Sequence, residues 1–435
     1  MSAIPATEEL KREIGVRSLA LAIVNMVIGS GIFALPAIVA DGLGATAIVA
    51  YISCGVLIFL LALCFAEAGS KISKSGGGYT YIEEAFGPYP GFLASSIYLL
   101  GGCMASDAAI ANAMADTLQS FFPELSIDTN RILFMLILFG GLGWLNIISA
   151  RNGLRIVVFS SMIKLTALIL LVIVAIPHVS KENLSWVIPP SFSNIGPATL
   201  LLFFAFQGFE VPLSNGGEIK APSRTVPMGI FLGVSIVLVM YMSIQWVTQG
   251  MLGNNLSAHK NAPLAAVASV AFGRPGMVLI IVVTILSILG ALSGSVLSLP
   301  RILFASARDG LLPRSLAKVH PRFVTPHVAI MVYVAIDFIM AISGGFKELA
   351  ILSSAAALLL YSGVVLASIR LRSKKGYADK KGFRTPGGIT VPAIAIMAII
   401  WLLSHLSRAE LTGIFVSIGV FSVIYFIITI LKRGE

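Results

Sequence analysis

Charge is scarce in this 435-residue chain. Asp, Glu, Lys and Arg together make up 11% of it, against roughly 25% in a soluble domain. That deficit argues against a water-soluble globule, as do repeated apolar runs of about 20 residues, the length that crosses a ~30 Å hydrocarbon core. Cysteine is scarcer still. Cys54, Cys64 and Cys103 fall in apolar runs with no metal-like spacing, so they read as small packing residues. The histidines, at positions 178, 259, 320, 327 and 405, lie in loops or near span ends and form no intramembrane cluster for a metal. There is no P-loop, no HExxH motif and no nucleophile–base pair, so neither enzymatic activity nor a cofactor is expected. The opening MSAIPATEELKREIG is polar and mixed in charge with no cleavage pattern, so the first apolar helix is expected to be retained.

What the chain has instead is 57% hydrophobic residues. The runs predict an all-α polytopic membrane protein of about twelve transmembrane helices. They fall near 17–39, 44–68, 90–118, 130–149, 154–176, 195–217, 226–250, 272–305, 326–344, 347–369, 388–405 and 411–431. The net charge of +10 could suggest nucleic acid, but its placement suggests orientation. Twenty-three of the thirty Lys and Arg residues fall on the side of the N-terminus, six on the other, and Lys164 lies within a span. The positive-inside rule then predicts a multi-pass protein of the cytoplasmic (inner) membrane with both termini cytoplasmic. The bilayer is the implied partner and nucleic acid is not. No oligomeric state follows from these residues.

Two spans have broken centres. The first carries Gly29-Ser30-Gly31, and the sixth carries Gly208, Pro212 and Gly216-Gly217. Glycine weakens a helix interior by roughly 1 kcal/mol relative to alanine, and proline removes a hydrogen bond and clashes with the preceding turn. The breaks lie five spans apart, an odd offset that reverses the chain's direction through the membrane. Matched interruptions in two inverted halves point to a transporter site. The chain therefore reads as one transporter domain, with repeats at about 17–176 and 195–369 and two added helices at about 388–431.

An unwound helix offers N–H groups for a carboxylate and carbonyls for an ammonium. A zwitterionic amino acid fits both. Gly29, Ser30 and Gly31 would present the N–H groups, with the Ser30 hydroxyl as a further donor. Val27 and Ile28 would offer carbonyls, joined by Phe204, Ala205 and Gln207 from span six. Of the four phenylalanines around that break, Phe204 and Phe206 are taken as the ligand-facing pair. Ionisable residues deep in spans are rare and usually functional. Lys164 lies nine residues past Arg155, about 13 Å along a helix; it either carries a coupled proton or is a fixed charge bonded to carbonyls. Asp107 and Glu210 could bind a cationic side chain, pair with Lys164, titrate or play a structural part. Asp337 reads as structural. No span shows a polar stripe long enough for a channel, and no large signalling domain suggests a sensor.

The segments GSGIFALP, GGGYTYIEEAFGP, NIISARNGLRI, FFAFQGFEVPLSNGGEIKAPSRTVP and RILFASARDGLLP together resemble the amino acid–polyamine–organocation superfamily over nearly the whole chain. The resemblance implies the LeuT-type fold of two inverted five-helix repeats plus two helices. It implies a substrate carboxylate at the Gly29-Ser30-Gly31 amides and its ammonium at the carbonyls of Val27, Phe204 and Gln207. Phe204 stands at the position of a gating tryptophan in the arginine/agmatine antiporters. Lys164 matches the lysine found where sodium-coupled relatives bind sodium, which implies sodium-independent amino acid transport by proton-coupled symport or exchange. The chain departs from the family at Gly217, where a glutamate is usual, and at Asp107, where those antiporters carry asparagine. Asp107 leaves a cationic amino acid or polyamine exchanger as the alternative.

Overall fold

Backbone polar groups find no partner in hydrocarbon, so apolar runs of this length satisfy them internally as helices. The computed structural model describes residues 12–29, 31–72, 74, 76–186, 189, 192–308, 312–377 and 382–433. The α-helices are α1 (Val16–Val27), α2 (Gly31–Leu43), α3 (Ala47–Lys71), α4 (Gly78–Phe86), α5 (Pro88–Ile97), α6 (Ala105–Leu118), α7 (Asp128–Ile148) and α8 (Ala150–Ala175). They continue as α9 (Phe192–Phe206), α10 (Pro222–Leu252), α11 (Pro263–Ser298), α12 (Pro300–Arg308), α13 (His327–Ser343), α14 (Phe346–Ser373), α15 (Thr390–Leu403) and α16 (Arg408–Arg433). Among the described residues there is no strand, only an isolated parallel bridge between Ile14 and Ile219.

Among the described residues, nine stretches are long and apolar enough to cross a bilayer by length and composition, and Val16–Val27, His327–Ser343 and Thr390–Leu403 are shorter apolar helices. Large apolar side chains such as Ile137, Met162, Phe231 and Phe415 stand exposed on the helix faces, as lipid contact requires. The chain is an all-α polytopic membrane protein. The expected segments differ from the helices in detail. The first is split into α1 and α2. The third contains a π-helical turn, Tyr98–Met104, between α5 and α6. The eighth begins earlier, at Pro263, and passes a non-helical glycine, Gly273.

Small residues let the central helices approach closely. A Cβ on Gly233 of α10 would lie 2.8 Å from Ile23 Cγ2 of α1, and one on Gly290 of α11 would lie 1.7 Å from Ser160 Oγ of α8. At the N-terminal face the ties are polar. Glu67 of α3 accepts a two-pronged bond from Arg372 of α14, Nε at 2.8 Å and Nη2 at 2.6 Å, and the Thr385 N–H at 3.0 Å. Just before α1, the N–H groups of Glu13 and Ile14 donate to Glu218 O at 2.9 and 3.0 Å, and the Lys220 N–H donates to Ile14 O at 3.0 Å. The approach to the first broken helix is thus fastened to the exit from the second.

Candidate substrate site at two crossed helix breaks

The first break opens where Ile28 leaves helical geometry, at φ −71° and ψ 76°. The Gly29 N–H turns back onto Val27 O at 2.7 Å, and α2 begins at Gly31. Ser30 lies outside the described residues. The second break follows Phe206. Gly208 takes φ +104°, a left-handed conformation that favours glycine. The breaks press on each other's helices. A Cβ on Gly31 would lie 3.3 Å from Ala205 Cβ and Phe204 Cδ1, and one on Gly208 would lie 3.3 Å from Met26 O.

Four side chains fasten this crossing. The Tyr241 hydroxyl, on α10, donates toward Val27 O at 2.8 Å and Ala205 O at 2.9 Å, one carbonyl from each break. Lys164, buried on α8, donates from Nζ to Asn25 O in the last turn of α1 at 2.9 Å. A cation there complements the negative end of the α1 dipole. The Glu210 carboxylate accepts from the Tyr98 hydroxyl in the π-helical turn, the Tyr361 hydroxyl on α14 and the Gly208 N–H. It therefore braces its own break against two other elements. Gln207 bonds to α14, accepting from Ser353 Oγ at 3.2 Å and donating to Ser354 Oγ at 3.4 Å.

Some expected contacts take a different form. Val27 O already accepts from both Gly29 and Tyr241, which uses both lone pairs of that carbonyl. Phe204 and Phe206 point apart. Phe204 packs edge-on against Phe346, centroids 5.7 Å apart, whereas Phe206 packs against Tyr241 at 4.9 Å and is 1% exposed. Phe203 and Phe209 pack on Tyr361. Asp107 accepts from the Tyr333 hydroxyl of α13 at 2.9 Å. Asp337 is fully buried on α13, and neither carboxylate oxygen has a hydrogen-bond partner among the described residues.

Tyr241, Tyr98 and Tyr361 do not stand out in the sequence, because a tyrosine in an apolar run is not conspicuous as a buried acid or lysine is. Replacing Tyr241 with phenylalanine keeps the ring on Phe206 and deletes only the hydroxyl. One lost buried hydrogen bond costs about 1–3 kcal/mol, so transport is expected to fall about tenfold or more in a correctly folded protein. Wild-type rates in reconstituted vesicles would show that the hydroxyl does not hold the crossing together.

What remains at the crossing is a helix start, at Gly31, whose first N–H groups have no intrahelical partner, facing the end of α9. Interrupted membrane helices of this kind are how secondary transporters build their midplane sites. The chain belongs to the amino acid permease family, whose model matches residues 14–431. It is 30% identical over 402 residues to the serine/threonine exchanger SteT of Bacillus subtilis (strain 168), covering 91% of each chain. It is 25% identical over 445 residues to the branched-chain amino acid permease BcaP of the same organism, covering 98% of this chain and 95% of that one. It is 31% identical over 381 residues to the human large neutral amino acids transporter small subunit 2, covering 84% of this chain and 71% of the relative.

Proposed function

We propose that this protein is a sodium-independent secondary active transporter of neutral L-α-amino acids, working by exchange through alternating access at the crossed breaks. The observation that carries this reading is the crossing itself. The start of α2 offers N–H groups and a positive dipole end to the substrate carboxylate. The end of α9, at the carbonyls of Phe204 and Gln207, receives the ammonium. The Lys164 ammonium on Asn25 O supplies a fixed positive charge beside the first break, which supports sodium independence. Asp107 turns toward Tyr333, which favours neutral over cationic substrates. The names of the relatives, an exchanger of serine and threonine and transporters of branched-chain and large neutral amino acids, point the same way. Proton symport is the second reading, with Lys164 or Glu210 as the coupling group. The basic excess on the N-terminal face orients both termini to the cytoplasm, in a cytoplasmic membrane. The first, second, sixth and seventh spans rock against the rest around the site.

The test uses purified protein in liposomes with labelled L-serine, L-threonine and L-leucine. Vesicles are empty or preloaded with the same amino acids, with and without an inward proton gradient. Uptake only into preloaded vesicles is the expected result. Gradient-driven uptake into empty vesicles would establish symport instead. Uptake that follows a sodium gradient would overturn the assignment of Lys164.

A further inference from the structure

Asp107 on α6 and Asp337 on α13 are buried, 3% and 0% exposed, and lie within electrostatic range of each other. The Tyr333 hydroxyl donates to Asp107 Oδ2 at 2.9 Å, and Ser295 of α11 bonds the same carboxylate. Tyr333 and Asp337 are four positions apart on α13, so they share one face of that helix, a turn apart. The second acid thus stands one turn along from the residue that holds the first. Yet neither oxygen of Asp337 has a hydrogen-bond partner among the described residues.

No cation balances the pair. Among the described residues neither acid enters an ion pair. The ionisable residues of α7, Asp128 and Arg131, are at its start, and Arg131 is taken by Asp116 of α6 at 2.7 Å. The π-helical turn brings the Cys103 thiol and Tyr98, which donates to Glu210. Arg301, Arg308, Arg314, Lys318 and Arg322 belong to the segment that enters α13 at His327, about 15 Å along the helix before Asp337. Two carboxylates in one apolar site cannot both be ionised: each opposes the other's charge, and burial opposes both. Asp107 has donors suited to an anion. Asp337 has none, which leaves the neutral acid as the form its surroundings tolerate.

We propose that Asp107 and Asp337 are a proton-binding pair that holds one resident proton at neutral pH, carried by Asp337 beside an ionised Asp107. The proton stays with the protein and does not cross with substrate. The helices that bear it, in spans three and nine, are outside the four spans that rock, and Asp337 is closed to water. Loss of the proton to alkaline solution leaves two like charges between α6 and α13. One turn beyond Asp337, Asn112 Nδ2 of α6 donates to Ala341 O of α13 at 2.9 Å, and that contact is the one the repulsion strains. Alkaline pH therefore loosens α6 from α13 and slows exchange, with no link to a proton gradient. The proton itself does not depend on the transport reading; only its effect on exchange does.

Infrared spectroscopy of the full chain in lipid nanodiscs tests it without transport. At neutral pH the wild type is expected to show the carbonyl band of a protonated aspartic acid. Labelling the aspartate carboxyls with a heavier carbon isotope, which needs no variant, should move that band. Asp337→Asn should abolish it, and Asp107→Asn should remove a carboxylate band instead. Melting in detergent is the second readout. Folding of wild type takes up a proton that alkaline solution withholds, so its melting temperature should fall relative to Asp337→Asn as the pH rises. No protonated aspartate band in wild type overturns the site, whatever the variants do. A band lost in Asp107→Asn and kept in Asp337→Asn overturns the assignment to Asp337. Parallel melting profiles of wild type and Asp337→Asn overturn the alkaline limit. Gradient-driven uptake into empty vesicles that disappears in Asp337→Asn would make the proton cargo and overturn its residence.

Discussion

Replacing Lys164 with alanine is expected to reduce transport by about two orders of magnitude. The substitution strips a buried carbonyl, Asn25 O, of its 2.9 Å donor, at a cost of about 1–3 kcal/mol. It also removes the cation that complements the C-terminal end of α1, worth up to about 2 kcal/mol in a buried geometry. Some 3 kcal/mol in all corresponds to roughly a hundredfold, at 1.4 kcal/mol per factor of ten. The loss falls on the geometry of the first break, so affinity and turnover decline together. Under exchange the pH–rate profile of the residual activity keeps its wild-type shape, because Lys164 acts as a fixed charge. A flattened profile would make it the proton carrier and restore symport. Counterflow measured between pH 5 and 9 in liposomes distinguishes the two.

The second large effect concerns folding. In Glu210→Ala, the hydroxyls of Tyr98 and Tyr361 and the N–H of Gly208 lose their common acceptor. Three buried donors left unpaired cost about 3–9 kcal/mol, a large share of the ~5–15 kcal/mol that holds a typical domain together. The variant is expected to melt far below wild type in detergent. Glu210→Gln should recover much of the loss, because its amide oxygen still accepts and a tyrosine hydroxyl can turn to accept from its amide nitrogen. Equal melting of Glu210→Ala and wild type would show that the carboxylate does not brace the break.

The breaks were legible because glycine and proline in the middle of an apolar run leave few alternatives. Lys164 and Glu210 were legible for the same reason, as ionisable groups where few occur. The partners of these residues were not legible, because each is reached through tertiary packing: Tyr241 lies 214 positions from Val27 and Tyr98 lies 112 from Glu210. The directions of two side chains were also hard to read, for local reasons. Phe204 and Phe206 lie two residues apart on a helix that persists through Phe206, so they point about 200° apart. Asp107 follows the π-helical turn Tyr98–Met104. The wider turn shifts every later residue by about 100° relative to a uniform α-helix. The Lys/Arg imbalance carried no information about how Phe204 packs on Phe346.

The long reach of these bonds has a consequence for how the protein is made. As the chain leaves the ribosome, its first broken helix emerges with Asn25 O lacking the Lys164 donor and Val27 O holding only the Gly29 N–H. Lys164 follows Asn25 by 139 positions, and Tyr241 follows Val27 by 214. Until both arrive, the break would lie in hydrocarbon with polar groups exposed, each costing several kcal/mol. The first helix must therefore be kept in a wet or sheltered place through the synthesis of half the protein and settle late. A nascent chain stalled short of residue 241 should leave that segment accessible to water-soluble thiol reagents at an introduced cysteine, and release past that point should close it.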